Sequence, residues 1–130
     1  MRVTRFDSAA SLIVIRARLW GPRSEGIIRL AMDTGASVTL FRPEVLDDLG
    51  YSPRQAHVVT KIRSAVGEEP GYMIRISRFR ALGYEVRDLD AHAHDLPEGF
   101  GIDGLLGLNF LKELNYEIRS REGRIVSERA

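Results

Sequence analysis

"RLAMDTGASVTLF", residues 29–41, decides how this chain is read. An apolar run breaks at Asp33, Thr34 and Gly35 and resumes with Val38, Leu40 and Phe41. A carboxylate set into an apolar strand costs free energy unless something pairs with it. The interruption is therefore either a simple turn or a place where the carboxylate does chemistry.

Upstream, "SLIVIRARLW" (11–20) alternates from Ile13 and is rich in β-branched residues, which predicts a strand. "GPRSEG" (21–26) reads as a turn and "IIRLAM" (27–32) as the second strand of a hairpin. Downstream, "SVTLF" (37–41) reads as a short strand. "RPEVLDDLG" (42–50) carries helix punctuation, with Pro43 in the first turn and Gly50 at the end. Two strands, 56–66 and 72–82, flank "GEEPG" (67–71) as a long hairpin, with its tip within Ser64 to Gly71 or nearer Ala65-Val66-Gly67. Residues 84–94 alternate as another strand. "IDGLLGLNFLKELN" (102–115) predicts a short strand and then a helix, since Leu108, Leu111 and Leu114 recur at helical spacing. A terminal hairpin, 116–127, turns at Glu122–Gly123. The expected fold is mainly β with two short helices, in one domain over residues 1–130.

Composition bounds the function. The chain has 130 residues, 44% hydrophobic and 28% charged, enough for a packed core. It has no cysteine, which removes thiolate nucleophiles, disulfides and cysteine zinc sites. The net charge of +1 gives no large field for phosphate or anionic lipid. Arginines alternating with apolar residues, as in "MIRISRFR" (73–80), read as solvated strand faces, and without aromatic interleaving they make no nucleic-acid stripe. No run reaches the ~18 apolar residues of a membrane span. Arg16 and Arg18 interrupt the N-terminal apolar run and no small-residue cleavage site follows, so no signal peptide is expected. A cytoplasmic location is the expectation.

A second motif strengthens the first. "IDGLLGLNFL" (102–111) places two apolar residues, a glycine and a helix about seventy residues after Asp33. Together "AMDTGASVTLF" and "IDGLLGLNFL" resemble the catalytic loop and the supporting turn of the retroviral-type, single-domain aspartic proteases of the pepsin clan. The order strand, DTG, hairpin, LLG-helix, terminal strand extends the resemblance over nearly all of the chain. It implies a closed-barrel-like acid protease fold with one lobe per chain, and a hairpin at 58–78 acting as a flap over an extended peptide.

The resemblance also implies a homodimer, because one chain supplies one Asp33 and the chemistry needs two carboxylates. Two such groups roughly 3 Å apart share one proton and titrate as a pair, as is established for aspartic protease dyads in general. Asp33 is then acid and base through its two copies. Gly35 lets its backbone come close to the carboxylate, and the Thr34 hydroxyl is implied to bond to the partner's loop. Ala31, Ala36, Ser37, Leu105 and Leu108, with Ala65, Val66 and Gly67 of the hairpin, are the candidate substrate contacts. The expected reaction is peptide hydrolysis by water, favoured at acidic pH, with no metal or other cofactor. The rival reading is a dimerisation or peptide-binding module that keeps the fold without turnover.

The chain departs from the viral pattern at two places. Viral enzymes usually carry an acidic residue two places after the DTG glycine and an arginine directly after the second glycine; here those places hold Ser37 and Leu108. The dimer then needs other ties, and the chain ends, 2–6 and 122–130, are the candidates. Three weaker signals remain. Gly99, Gly101 and Gly104 spell G-x-G-x-x-G without the βαβ unit a dinucleotide site needs. His92 and His94, near Asp90 and Asp95, are either a polar strand face or a metal site. Asp103 either orients the second motif or is a second carboxylate within one chain.

Overall fold

A computed structural model describes residues 1–55, 58–64, 67–97 and 101–130, with side chains described outside 55–70. Strands β1 (Arg2–Arg5), β2 (Val14–Trp20), β3 (Glu25–Met32) and β4 (Thr39–Phe41) precede helix α1 (Pro43–Leu49). After a 3-10 turn at Pro53–Gln55 come β5 (Val58–Ser64), β6 (Gly67–Ala81) and β7 (Tyr84–Ala93). The chain ends with β8 (Gly104–Leu106), helix α2 (Leu108–Leu111), β9 (Leu114–Arg119) and β10 (Arg124–Arg129).

The alternation read from the sequence sets which face is buried. In β2, Ile15, Ala17 and Leu19 point inward while Arg16 and Arg18 face solvent; in β3, Ile28 and Leu30 point inward while Ile27 and Arg29 face out. Six strands run β2-β3-β8-β4-β7-β6, and β6 returns to β2 through Arg18↔Arg80, Leu19↔Phe79 and Trp20↔Arg78. That return closes the barrel and removes the sheet's open edges there. The interior is filled by Ile15, Leu19, Leu30, Phe41, Leu46, Ile74, Ile76, Phe79, Leu106 and Phe110, each with at most 1% exposure. Phe79 meets Phe41 and Phe110 edge to face at 5.9 and 5.4 Å, contacts worth about 0.5–1.5 kcal/mol each beyond area burial.

β3 and β4 are consecutive in sequence but do not pair. β8 lies between them, parallel to β3 (Leu30↔Gly104, Ala31↔Leu105, Met32↔Leu106) and antiparallel to β4 (Leu40↔Leu105, Phe41↔Gly104). The 33–38 connection must therefore arch over the end of β8. Local sequence does not encode this interleaving.

Two expectations need correction. Residues 67–71 are not a turn: Gly67–Gly71 belong to β6 and pair with β5 from Ser64↔Gly67 to Thr60↔Gly71. Pro70 favours a turn by its residue type. A proline lacks the N–H that an interior strand needs, but the β7 ladder begins only at Tyr72, so β6 has a single neighbour at Pro70. The helix expected to reach Leu114 stops at Leu111, and Leu114 opens β9. Leu111 and Leu114 are both buried, so two different elements present the same three-residue spacing to one core.

The chain ends do form a sheet, but within one chain, in the order β1-β10-β9. β10 is paired on both sides over residues 124–127, while Glu128 and Arg129 pair with β9. This sheet is fastened to the barrel at the β6–β7 turn, where Ser127 Oγ donates to the Leu82 carbonyl at 3.1 Å and Tyr84 Oη to the Ser127 carbonyl at 3.2 Å. Among the described residues no helix is long and apolar enough to cross a membrane.

Candidate active site

Asp33 lies one residue beyond β3, at the foot of the arch, and is half-buried. Its main-chain N–H donates to the Leu106 carbonyl at 3.0 Å, so the end of β8 fixes where the residue stands. Its carboxylate Oδ1 accepts the Gly35 N–H at 2.9 Å, and its carbonyl accepts the Ala36 N–H at 3.2 Å. A Cβ on Gly35 would sit 3.2 Å from that same oxygen. Glycine therefore suits the position because the turn folds its backbone onto the acid. Thr34 is exposed, and its hydroxyl makes no hydrogen bond within the described residues.

The other limb of the arch is held by the second motif. Leu108 N–H donates to the Ala36 carbonyl at 2.8 Å and Asn109 N–H to the Ser37 carbonyl at 3.2 Å. The two positions that depart from the viral pattern, Ser37 and Leu108, thus take part in main-chain bonds between loop and helix. The approach is close enough to dictate both glycines of "GLLG". A Cβ on Gly107 would lie 2.7 Å from the Val38 carbonyl carbon, and one on Gly104 would lie 2.1 Å from the Leu40 oxygen.

Sequence reasoning missed the polar knot beneath the loop. Asn109 Oδ1 accepts from both the Thr39 N–H and the Thr39 hydroxyl at 2.8 Å, and Asn109 Nδ2 donates to the Asp90 carbonyl at 2.6 Å. Thr39, fully buried, also accepts the Gly107 N–H on its hydroxyl at 3.1 Å. One amide thus joins β4, α2 and β7. The available signal was Asn109 itself, a polar residue inside the apolar run "GLLGLNFL". Arg42 was missed as well. Its guanidinium donates to the carbonyls of Ile102, Leu96 and Pro97 at 2.8, 3.1 and 3.2 Å, holding the approach to the second motif.

The other candidates divide. Ala36 and Leu108 are half-buried and Ser37 is exposed, and all three lie where the loop meets the helix. Leu105 is half-buried between its partners Ala31 and Leu40. Ala31 is only 4% exposed, so its side chain presents almost no surface to a ligand. Gly67 begins β6 beyond Ser64, whereas Ala65 and Val66 lie outside the described residues, as does Gly99. Asp103 ties the second motif to β3 and to the start of α1. Its Oδ2 accepts the Arg29 N–H at 2.8 Å, its N–H donates to the Arg29 carbonyl at 2.7 Å and its carbonyl accepts the Arg42 N–H at 2.9 Å.

His92 lies opposite Met73 in the β6–β7 ladder. Burial, and then the neighbouring His94, hold its pKa below the ordinary histidine value. Among the described residues no three His, Asp or Glu side chains gather as a metal site would need. At the base of the long hairpin the Tyr72 hydroxyl is buried without a hydrogen-bond partner among the described residues. Burial, then the Asp47 and Glu44 carboxylates, raise its pKa.

The arrangement is a rigid, backbone-fastened turn presenting one carboxylate, with a two-stranded arm rising from the same barrel. Comparisons with known proteins point the same way. A family model described as aspartyl protease matches residues 25–110, from the start of β3 through most of α2. The fold is similar to a crystal structure of a retropepsin-like aspartic protease from Rickettsia conorii, with a TM-score of 0.70 and 20% identity over 98% of this chain and 90% of that one. No curated protein matches the chain in sequence. With Asp33-Thr34-Gly35 and the "GLLG" of 104–107 inside the matched span, this chain belongs to the aspartyl protease family.

Proposed function

We propose that this aspartic peptidase works as a homodimer in which two copies of Asp33 activate one water against a peptide bond. The observation that carries the reading is a half-built site. Asp33 is held by the Gly35 N–H on an exposed turn, and the other acid of the two motifs, Asp103, is engaged by the Arg29 N–H. A single carboxylate cannot both take a proton from water and give one to the substrate, and a second copy across a two-fold axis supplies the missing group.

In this mechanism the ionised member of the pair takes a proton from water as the oxygen attacks the carbonyl carbon. The protonated member donates to the carbonyl oxygen, giving a neutral tetrahedral diol. Its collapse breaks the C–N bond as a proton passes to the leaving nitrogen, and the pair returns to its single-proton state. The unbonded hydroxyl of Thr34 is free to reach the partner's loop. Ala36, Ser37 and Leu108 border the substrate, with Leu105 and the buried Ala31 behind them. The arm formed by β5 and β6 serves as a flap and closes over an extended peptide through main-chain hydrogen bonds, and Ala65, Val66 and Gly67 are proposed as substrate contacts. Residues 1–130 act as one catalytic domain. A chain without cysteine needs no disulfide and suits a reducing compartment such as the cytoplasm.

The test is endopeptidase assay of the wild type and Asp33→Asn from about pH 4 to 8, with sedimentation at several concentrations. Turnover falls about 1,000-fold or more in the variant, wild-type activity per chain rises with protein concentration, and the acid limb reports a shared proton. Turnover unchanged in Asp33→Asn, or full activity from a strict monomer, refutes the mechanism. A wild type that dimerises and binds peptides without cleaving them supports the non-catalytic module instead.

A further inference from the structure

Away from the catalytic turn, β1 and β2 border a hollow of about 590 Å³. Val3, Thr4 and Arg5 of β1 line it, as do Val14, Ile15 and Arg16 of β2. Successive residues of a strand point to opposite faces, so three consecutive residues line a space only where the strand's edge borders it. Both edges are unpaired there. Among the described residues β1 has β10 as its sole neighbour, and β2 pairs with β6 only through Arg18, Leu19 and Trp20, leaving residues 14–17 open on that side.

The charge of this hollow is equally specific. Arg5, Arg16 and Arg29 line it, all exposed. Arg16 and Arg29 are directly opposite each other in the β2–β3 ladder, a like-charge pairing that disfavours the sheet. Among the described residues none of these three guanidinium groups has a carboxylate partner, whereas nearby Arg18 pairs with Glu25 at 3.4 Å and Arg78 with Glu85 at 2.9 Å. The one acid in the lining, Asp7, accepts the Ala9 N–H at 2.9 Å. Val3, 53% exposed, adds an apolar contact at the rim.

We propose that the hollow between the open edges of β1 and β2 docks an extended acidic peptide segment, through main-chain hydrogen bonds to the strand edges and carboxylate contacts to Arg5, Arg16 and Arg29. Unpaired strand edges recognise a backbone in extended conformation. Guanidinium groups recognise carboxylates by charge-assisted, often paired hydrogen bonds. The same charges argue against a second copy pairing edge to edge here, because Arg2 and Arg5 of one β1 would meet those of the other. The docking site contains none of residues 33–37 and stands independently of the catalytic proposal.

The test is fluorescence anisotropy at near-physiological salt with a labelled peptide of alternating Glu and Val. The protein is the full chain, as wild type and as Asp33→Asn to protect the probe. The peptide binds, its Lys counterpart does not, and N-methylation of alternate backbone nitrogens weakens binding about tenfold. The double variant Arg16→Gln/Arg29→Gln weakens it about tenfold, and Arg16→Lys/Arg29→Lys recovers part of the loss. The idea is overturned by no binding at millimolar peptide or by indifference to N-methylation. It also falls if a short DNA duplex binds more tightly with the same arginine dependence, or if the arginine variants shift only self-association. Binding of this peptide with no difference between wild type and Asp33→Asn in the endopeptidase assay sinks the catalytic proposal and leaves this one standing.

Discussion

Asn109, beside the turn that carries Asp33, and Tyr72, at the base of the long hairpin, show how much single side chains decide. Asn109 satisfies the Thr39 N–H and hydroxyl and donates to the Asp90 carbonyl. Leucine there would leave buried main-chain groups unpaired, at about 1–3 kcal/mol for each unsatisfied group. Asn109→Leu is therefore expected to lower unfolding free energy in urea by about 2–4 kcal/mol, with peptidase activity falling further than the folded fraction, because the loop that carries Asp33 loses its footing. Tyr72 is the opposite case. Its hydroxyl is buried with no partner among the described residues, so Tyr72→Phe removes a desolvated group without disturbing a bond. Thermal unfolding should show it neutral to about 1 kcal/mol more stable than the wild type; a clear loss of stability would mean that the hydroxyl has a partner in solution.

At the scale of elements, the site depends on three chain segments passing within van der Waals distance. α2 is only four residues long and has no side-chain N-cap, so its own helical bonds contribute little. It is held by packing and by bonds from Leu108 and Asn109 to the arch. The close passage makes Gly107 irreplaceable. Gly107→Ala drives a methyl into the Val38–Thr39 backbone, where rigid main chain cannot yield, and is expected to cost about 2–3 kcal/mol. Gly101→Ala has open space around it and carries only the strain of φ +65, about 1 kcal/mol. Denaturant midpoints of the two variants, measured side by side, separate these causes.

For the whole molecule, pH acts on the fold in the sense opposite to that expected of the proposed chemistry. His92 has a folded pKa below its unfolded value of about 6.5, so the unfolded chain binds more protons between the two. The contribution is fully present above pH of about 6.5 and is lost as pH falls toward the folded value. Glu122, held low by hydrogen bonds from Arg124 and then Arg119, gives the same sign in a more acidic window: its contribution is present above the ordinary carboxylate pKa and lost below it. The proposed shared proton instead favours activity at acid pH. Urea unfolding followed from pH 5 to 7.5 should show stability rising with pH, and His92→Gln should flatten that slope. A slope untouched by the substitution would assign the effect to other groups.

Much of this was legible in the chain. The alternation Ile15-Arg16-Ala17-Arg18-Leu19 states which face of β2 is buried, Pro43 and Gly50 bracket α1, and Asp33-Thr34-Gly35 with Gly104-Leu105-Leu106-Gly107 marks the family. These are short-range signals, and period, cap and motif are local properties of a chain. Three matters were settled only in three dimensions: the insertion of β8 between β3 and β4, the continuation of β6 through Pro70, and the capture of β10 between β1 and β9. The same holds for the knot of Thr39, Asn109 and Asp90, whose members come from three elements. Strand neighbours far apart in sequence are chosen by which arrangement closes the barrel and satisfies every buried main-chain group at once. That condition belongs to the assembled structure, and no window of residues contains it.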